Sequence, residues 1–215
     1  MRLEGFHAVK HALRFAPELV DDVEVTDVDA AVALAERLAA DVAEPLRRRA
    51  VAAVVDHPTG VRAHARRPVE DRSVLQRRGA PLLLLDRPRH PGNAGAAVRV
   101  AAAAGASGVA VTGDLDPWHA AVLRGSAGLH YALPVLRAEP ADVVGPVVVL
   151  DAAGAPLADL PDDAVLVVGS ERAGVGESLR RRADAVVALP MRAGVSSLNL
   201  ATAAAAALYA WRLRR

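Results

Sequence analysis

"LLLLDRPRHPGNAGAAVRVAAAAGASGV", residues 82–109, runs from an unbroken apolar stretch through a Pro/Gly-rich loop into an alanine-rich stretch, then into a second apolar run. Leu82–Leu85 do not alternate with polar residues, which suits a strand buried on both faces of a parallel sheet. Residues 93–105 read as a helix, with Asn93 at its mouth as a candidate cap. Arg99 lies six residues on, nearly two turns, and is expected to return toward a similar face. "GVAVTG" (108–113) is the next strand. No Gly-x-Gly-x-x-Gly follows the first strand, so this is not a dinucleotide-binding fingerprint.

The same alternation continues toward the carboxyl end. "PVVVLD" (146–151), "AVLVVG" (164–169) and "AVVALP" (185–190) are short apolar runs, while 174–183 and 198–214 read as helices. The pattern predicts an α/β domain with a parallel sheet, whose ligands bind at loops beyond the carboxyl ends of the strands. Two more such loops hold polar groups. "AVLVVGSERAGVG" (164–176) places Gly169, Ser170 and Glu171 at a strand end, with Gly174 and Gly176 behind. Glycines there let a ligand approach the backbone, although an acidic residue near a helix start also serves the helix dipole alone. "LPMRAGVSSLNLATAAAAALYAW" (189–211) puts Ser197 near the expected cap of the last helix and Asn199 in its first turn. Ser197 is explained as a cap, whereas asparagine does not favour helix interiors, so Asn199 asks for another role.

Toward the amino end, "HAVKHALRF" (7–15) and "DAAVALAERLAADV" (29–42) have helical apolar spacing, and "VEVTDV" (23–28) and "AVAAVVD" (50–56) look like strands. "RRPVEDRSVLQRRGAP" (66–81) is charged and poor in periodicity. The expected division is a small α/β domain over 1–68, a linker over 69–80 and a larger α/β domain over 81–215.

Composition bounds the chemistry. The chain has 215 residues, 53% of them apolar, which is enough for a sizeable core. It has no cysteine, which excludes disulfides, thiolate metal sites and cysteine nucleophiles. Lys10 is the only lysine, and the many arginines fit an Ala/Arg-rich compositional habit. No stretch reads as a membrane span or as a secretory signal, and the expected location is the cytoplasm. The net charge of +1 is unevenly spread: residues 1–42 carry nine acids against four bases, whereas 43–79 carry nine arginines against four acids. The basic band, with Arg47–Arg49, Arg62, Arg66, Arg67, Arg77 and Arg78, reads either as a solvated face or as a surface for a phosphate backbone.

Together the three strand-end motifs resemble the SpoU (TrmH-like) RNA ribose 2′-O-methyltransferases of the SPOUT superfamily. Asn93, Gly95, Arg99 and Ala101 match that family's Asn-x-Gly-x-x-x-Arg-x-Ala motif; Gly169, Ser170, Glu171 and Gly174 match Gly-Ser/Asn-Glu-x-x-Gly; and Pro190, Met191, Ser197, Leu198 and Asn199 match Pro-Met followed by Ser-Leu-Asn. "LRGSAGLHYALPV" (123–135) is similar to its Arg-x-Ser-x-Gly segment through Arg124, Ser126 and Gly128. The likeness covers about 82–214, and residues 1–68 resemble the ribosomal-protein-like substrate-binding domain that many members carry. Three features depart from the pattern: "RPRHPG" lengthens the step from Asp86 to Asn93, Val100 follows the arginine, and 137–146 is short for a helix.

The resemblance implies a carboxyl-terminal trefoil knot, an S-adenosyl-L-methionine pocket lined by Gly169, Leu189, Met191 and Leu198, and an RNA substrate, either tRNA or rRNA. It also implies that Arg99 acts on the 2′-hydroxyl, that Asn93 and Glu171 position Arg99 and the ribose, and that Ser197 and Asn199 stand at the pocket mouth. The expected assembly is a homodimer through the last helix, with Tyr209 and Trp211, and the helix after Asn93. No metal and no membrane is implied. Two other functions share the knot: a non-catalytic RNA-binding or ribosome-assembly protein, which need not bind S-adenosylmethionine, and a base methyltransferase, which is separated from a ribose enzyme by the position of the methyl group.

Overall fold

A computed structural model describes residues 1–215. The amino-terminal unit comprises β1 (Arg2–Glu4), α1 (Phe6–Phe15), β2 (Val20–Val25), α2 (Val28–Leu38), α3 (Ala43–Arg49), β3 (Ala50–Ala52) and β4 (Val61–Ala65). Its sheet has the order β1-β4-β2-β3, with β2 and β3 parallel and β4 antiparallel to both its neighbours. Two elements differ from the sequence reading. The apolar run 50–56 is strand only over Ala50–Ala52, and β4 lies where Arg62 and His64 interrupt any apolar run. There the alternation of buried Val61, Ala63 and Ala65 carries the strand. The helical stretch 29–42 likewise ends at Leu38, with a separate turn at Ala40–Val42.

The larger unit comprises β5 (Leu82–Asp86), α4 (Pro91–Ala104), β6 (Gly108–Val111), α5 (Ala120–Gly125), β7 (Val135–Arg137), β8 (Val147–Pro156), β9 (Val165–Gly169), α6 (Glu177–Arg181), β10 (Ala185–Ala188) and α7 (Leu200–Arg212). Its six strands are all parallel in the order β10-β8-β9-β5-β6-β7, the α/β parallel sheet that the apolar runs predict. Every residue of β5 is buried. Leu83 and Leu85 face one core together with alanines of α4 and α7, while Leu82 and Leu84 face the other together with Val149 and Val167. The alternation follows from the pleat, so a continuous apolar run serves two cores at once. Residues 137–146, too short for a helix, carry only a single turn at Pro140–Asp142 with a reciprocal capping box between Glu139 and Asp142.

Residues 69–80 are not bare: a turn at Arg72–Leu75 buries Val74 and Leu75 on the Leu82/Leu84 face. The two units also touch directly. His11 Nδ1 lies 2.7 Å from the carbonyl of Ala127, and Gly128 (φ 75°) abuts the backbone of Ala8 so closely that a Cβ would fall 2.5 Å from its oxygen. Beneath this contact His130 is buried, its Nε2 2.8 Å from the carbonyl of Pro117 and its Nδ1 2.7 Å from Ser126 Oγ. No helix is long and apolar enough to cross a membrane.

Candidate active site

The site starts from a register. β5 and β9 are neighbours, and Asp86 is paired with Gly169, so the loops that leave the two strand ends begin side by side. Asp86 is buried and ties the ends together: it accepts from Thr112 Oγ1 at 2.6 Å and from the amide of Gly176 at 2.7 Å. The loop after β9 closes on itself, with Ser170 and Gly174 exchanging backbone hydrogen bonds at 3.2 and 3.0 Å. Gly169 sits against this closure, and a Cβ there would collide with the backbone of Gly174 and Val175. Glu171 is held at the loop tip.

Asn93 is not the cap of α4. The helix begins at Pro91, whose fixed φ suits a first helical position, so Asn93 stands third in its first turn. Its side chain is thereby free for other partners. Nδ2 donates to Glu171 Oε1 at 2.8 Å, and Glu171 Oε2 accepts from the amide of Arg89 at 3.2 Å. Asn93 Oδ1 accepts from Asn199 Nδ2 at 3.0 Å. Asn199, not Ser197, is the cap of α7: its Oδ1 accepts from the amides of Ala201 at 2.9 Å and Thr202 at 3.3 Å. The amide orientations are mutually consistent, because a carboxylate at one end accepts only and two backbone amides at the other donate only. Burial works against ionisation of Glu171, but the hydrogen bonds from Asn93 and from backbone amides outweigh it and hold the carboxyl below the usual glutamate range.

Beside this network opens a cleft of about 640 Å³. All four residues expected to hold a cofactor, Gly169, Leu189, Met191 and Leu198, line it, as do Glu171, Ser197 and Asn199. Leu198 is 43% exposed, an apolar side chain presented to the opening. Leu150 and Asp151 also line the cleft, from the irregular middle of β8. They belong to no motif, but they lie at the end of an apolar run, where strand-end loops gather. Asp151 is paired with Arg180; the amide of Ala153, at 2.9 Å, and then that arginine hold its carboxyl low.

Arg99 is not brought to this cleft. Six residues advance a helix by about 600°, which leaves Arg99 about 120° around α4 from Asn93 rather than on a similar face. It is exposed, and its charge bears on His7 and Lys10 of α1. Trp211, expected at a subunit contact, is instead buried, its Nε1 donating to Asp162 Oδ1 at 2.7 Å, while Tyr209 is exposed on the other side of α7.

The SpoU rRNA methylase family profile matches residues 80–209. The chain is 30% identical to the 23S rRNA (guanosine(2553)-2′-O)-methyltransferase RlmP of Bacillus subtilis, over 96% of this chain and 86% of that protein. It is 35% identical to the 23S rRNA (uridine(2479)-2′-O)-methyltransferase of Streptomyces viridochromogenes over 59% of this chain, and spans half the length of that relative. Among solved structures, the SpoU methyltransferase AviRb from Streptomyces viridochromogenes in complex with AdoMet superposes with a TM-score of 0.81 at 26% identity, covering 100% of this chain and 90% of that one. AdoMet-bound rRNA methyltransferase from Sinorhizobium meliloti gives 0.72 at 27% identity, covering 99% and 87%. With its profile match spanning most of the parallel-sheet unit and its three strand-end motifs meeting at one cleft, the chain belongs to the SpoU rRNA methylase family.

Proposed function

We propose that the chain methylates a ribose 2′-hydroxyl of RNA, with S-adenosyl-L-methionine as donor. The observation that carries the reading is the Glu171–Asn93–Asn199 chain of hydrogen bonds, which joins all three motif loops at the wall of the cleft. The residues present fit the donor. The cleft is of small-molecule size. Gly169 leaves its backbone open where a Cβ would block the loop, and Leu198 offers an apolar surface. When bound, S-adenosylmethionine supplies an electrophilic sulfonium methyl group, and that transfer requires no metal.

The protein's part is positioning and charge. Gly169, Leu189, Met191 and Leu198 hold the donor; Glu171 and Asn93 orient the ribose; Ser197 and Asn199 shape the mouth. Arg99 lines no part of its own subunit's cleft, so in the proposed dimer the guanidinium that acts on the hydroxyl comes from Arg99 of the partner subunit, stabilising the forming alkoxide or gripping an adjacent phosphate, since a guanidinium is a poor base in proteins. The substrate is tRNA or rRNA, with residues 1–68 as its reading domain, 69–80 as the connection and 81–215 as the catalytic domain. The rRNA 2′-O-methyltransferases among the relatives favour ribosomal RNA.

The carboxyl-terminal segment is proposed to form a trefoil knot, and the chain to work in the cytoplasm as an isologous dimer. The exposed faces of α4 and α7, where Ala103, Ala206 and Tyr209 lie, support that contact. Light scattering tests the dimer, and a monomer at micromolar concentration rejects it. Incubation with methyl-labelled donor and either ribosomal subunits or total tRNA tests the activity. Label in RNA is expected, and its absence from every RNA, with donor still bound, would favour a non-catalytic RNA-binding role.

A further inference from the structure

The basic band does not stand free. Arg47 is 3.3 Å from Glu36 and 3.4 Å from Glu44, Arg48 is 2.8 Å from Glu44, and Arg67 is 2.7 Å from Glu70. Arg62 is paired with Glu24, Arg66 lies 3.6 Å from Asp21, and Arg78 is turned inward onto the carbonyls of Val74, Leu75 and Val144. Acids of the amino-terminal unit thus neutralise much of the charge that the sequence shows as a surplus.

A different set of cations has no such partner. His7 and Lys10 stand one turn apart on α1, His7 exposed and Lys10 half-buried at the edge of the face that buries Phe6, Val9 and Leu13. α1 and α4 both pack on the turn at Leu129–Tyr131, and exposed Arg99 of α4 is near enough for its charge to bear on His7 and Lys10. None of the three has an acidic group within 4.0 Å, although Arg14, the next residue of the α1 stripe, is bound to Asp41 at 2.5 Å. The clustering has a cost that is visible in the titration of the groups. Partial burial lowers the affinity of His7 and Lys10 for a proton; for His7 the charges of Lys10 and Arg99 add to this, and for Lys10 those of Arg14 and Arg99, with Asp41 opposing weakly. A fold that pairs five arginines of its basic band with acids, Arg47, Arg48, Arg62, Arg66 and Arg67, but leaves three neighbouring cations unpaired beside its motif helix is arranged to receive an external anion.

We propose that His7, Lys10 and Arg99 form a phosphodiester-binding surface between α1 and α4 that seats the backbone of the substrate RNA. This rests on the RNA-methylating function above, and it assigns backbone contact to the seam between the two units rather than to the arginines of 47–67. His7 and Lys10 are positioning residues: they bind the strand and touch no reacting atom.

The test uses the full chain and a fluorescein-labelled RNA hairpin, with anisotropy measured across a salt series. His7→Gln/Lys10→Gln is expected to weaken binding roughly tenfold and to reduce the slope of log affinity against log salt by about 1 to 2, since fewer phosphates are neutralised. Its melting temperature should not fall, because a repulsive cluster has been relieved, and S-adenosylmethionine affinity should be unchanged. Lys10→Arg is expected to retain wild-type binding, and Arg47→Gln, which removes a paired cation, to leave the slope unaltered. Wild-type affinity and slope in the double variant would overturn the surface, even if the wild-type chain methylates RNA. A wild-type chain that binds the hairpin through these residues without methylating any RNA would support the surface and refute the enzyme.

Discussion

Asn199 holds two structures with one amide group: its Oδ1 accepts from the amides of Ala201 and Thr202 at the mouth of α7, and its Nδ2 donates to Asn93 Oδ1 at 3.0 Å. Asn199→Asp separates these duties. A carboxylate still caps a helix, and its charge suits the helix amino end, but it cannot donate to Asn93. If Asn93 turns its amide to satisfy the new carboxylate, its oxygen then faces Glu171, so one clash remains in either orientation. Asn199→Asp should keep its melting temperature within a few degrees while methylation falls roughly tenfold, as expected when a hydrogen-bonded group is left unsatisfied. Asn199→Ala should also lose about 1 kcal/mol of stability with the cap. Full turnover in the aspartate variant would reduce Asn199 to a helix cap.

Gly169→Ala tests the wall of the cleft. The added methyl would collide with the backbone of Gly174 and Val175, where no flexible side chain can yield, so the Ser170–Gly174 closure must open. Donor affinity measured by calorimetry should fall by roughly tenfold or more, on the scale of an overpacked site. Undiminished affinity would remove the closed loop from the donor site.

Gly95 belongs to the same motif as Asn93, but its role is packing. A Cβ at that position would meet the carbonyl of Val122 and stand 2.8 Å from Gly125 Cα, because α4 and α5 cross in close contact there. Gly95→Ala should therefore cost about 1 to 3 kcal/mol of stability. Thermal unfolding reads this directly, and an unchanged melting temperature would contradict the packing.

His130 makes stability depend on pH. Burial pushes it down to about 4, with the Pro117 carbonyl opposing that shift, whereas an unfolded histidine titrates near its ordinary value of 6.5. The unfolded chain thus binds the proton first. Stability should be complete above about 6.5, decline as pH falls from there toward 4, and lose up to about 3 kcal/mol across that interval. Denaturant unfolding at several pH values, with histidine NMR to identify the group, checks this. A native His130 that titrates near 6.5 would contradict it.

Much of this arrangement was legible in the sequence because single residue types carried it. Unbroken apolar runs announced the strands of a parallel sheet, and polar clusters at their ends marked the cleft, eight of whose lining residues, Gly169, Ser170, Glu171, Gly174, Met191, Ser197, Leu198 and Asn199, stand in the family motifs. The losses have local causes. β4 hides in an alternation of small residues with Arg62 and His64, which no apolar run displays. The role of Asn93 was obscured because Pro91 starts α4 early, which turns an apparent cap into a bridging residue. The apparent RNA-facing charge of the basic band is reduced on folding, in part by partners far away in sequence: Glu24 with Arg62 and Glu36 with Arg47. Charge counted along a chain carries no information about which cations remain unpaired.

These loops are expected to direct a methyl group to a ribose oxygen with the help of Arg99. The most direct measurement is nuclease digestion and mass spectrometry of RNA treated with the wild-type chain, Arg99→Ala and Arg99→Lys. The wild-type chain should yield a nucleoside methylated on the ribose and none methylated on the base. Both variants should bind S-adenosylmethionine within a few-fold of wild type but form that product roughly 10²-fold more slowly, because an ammonium does not reproduce the planar guanidinium. A methyl group on the base, or near-full ribose methylation by a folded Arg99→Ala, would contradict the claim.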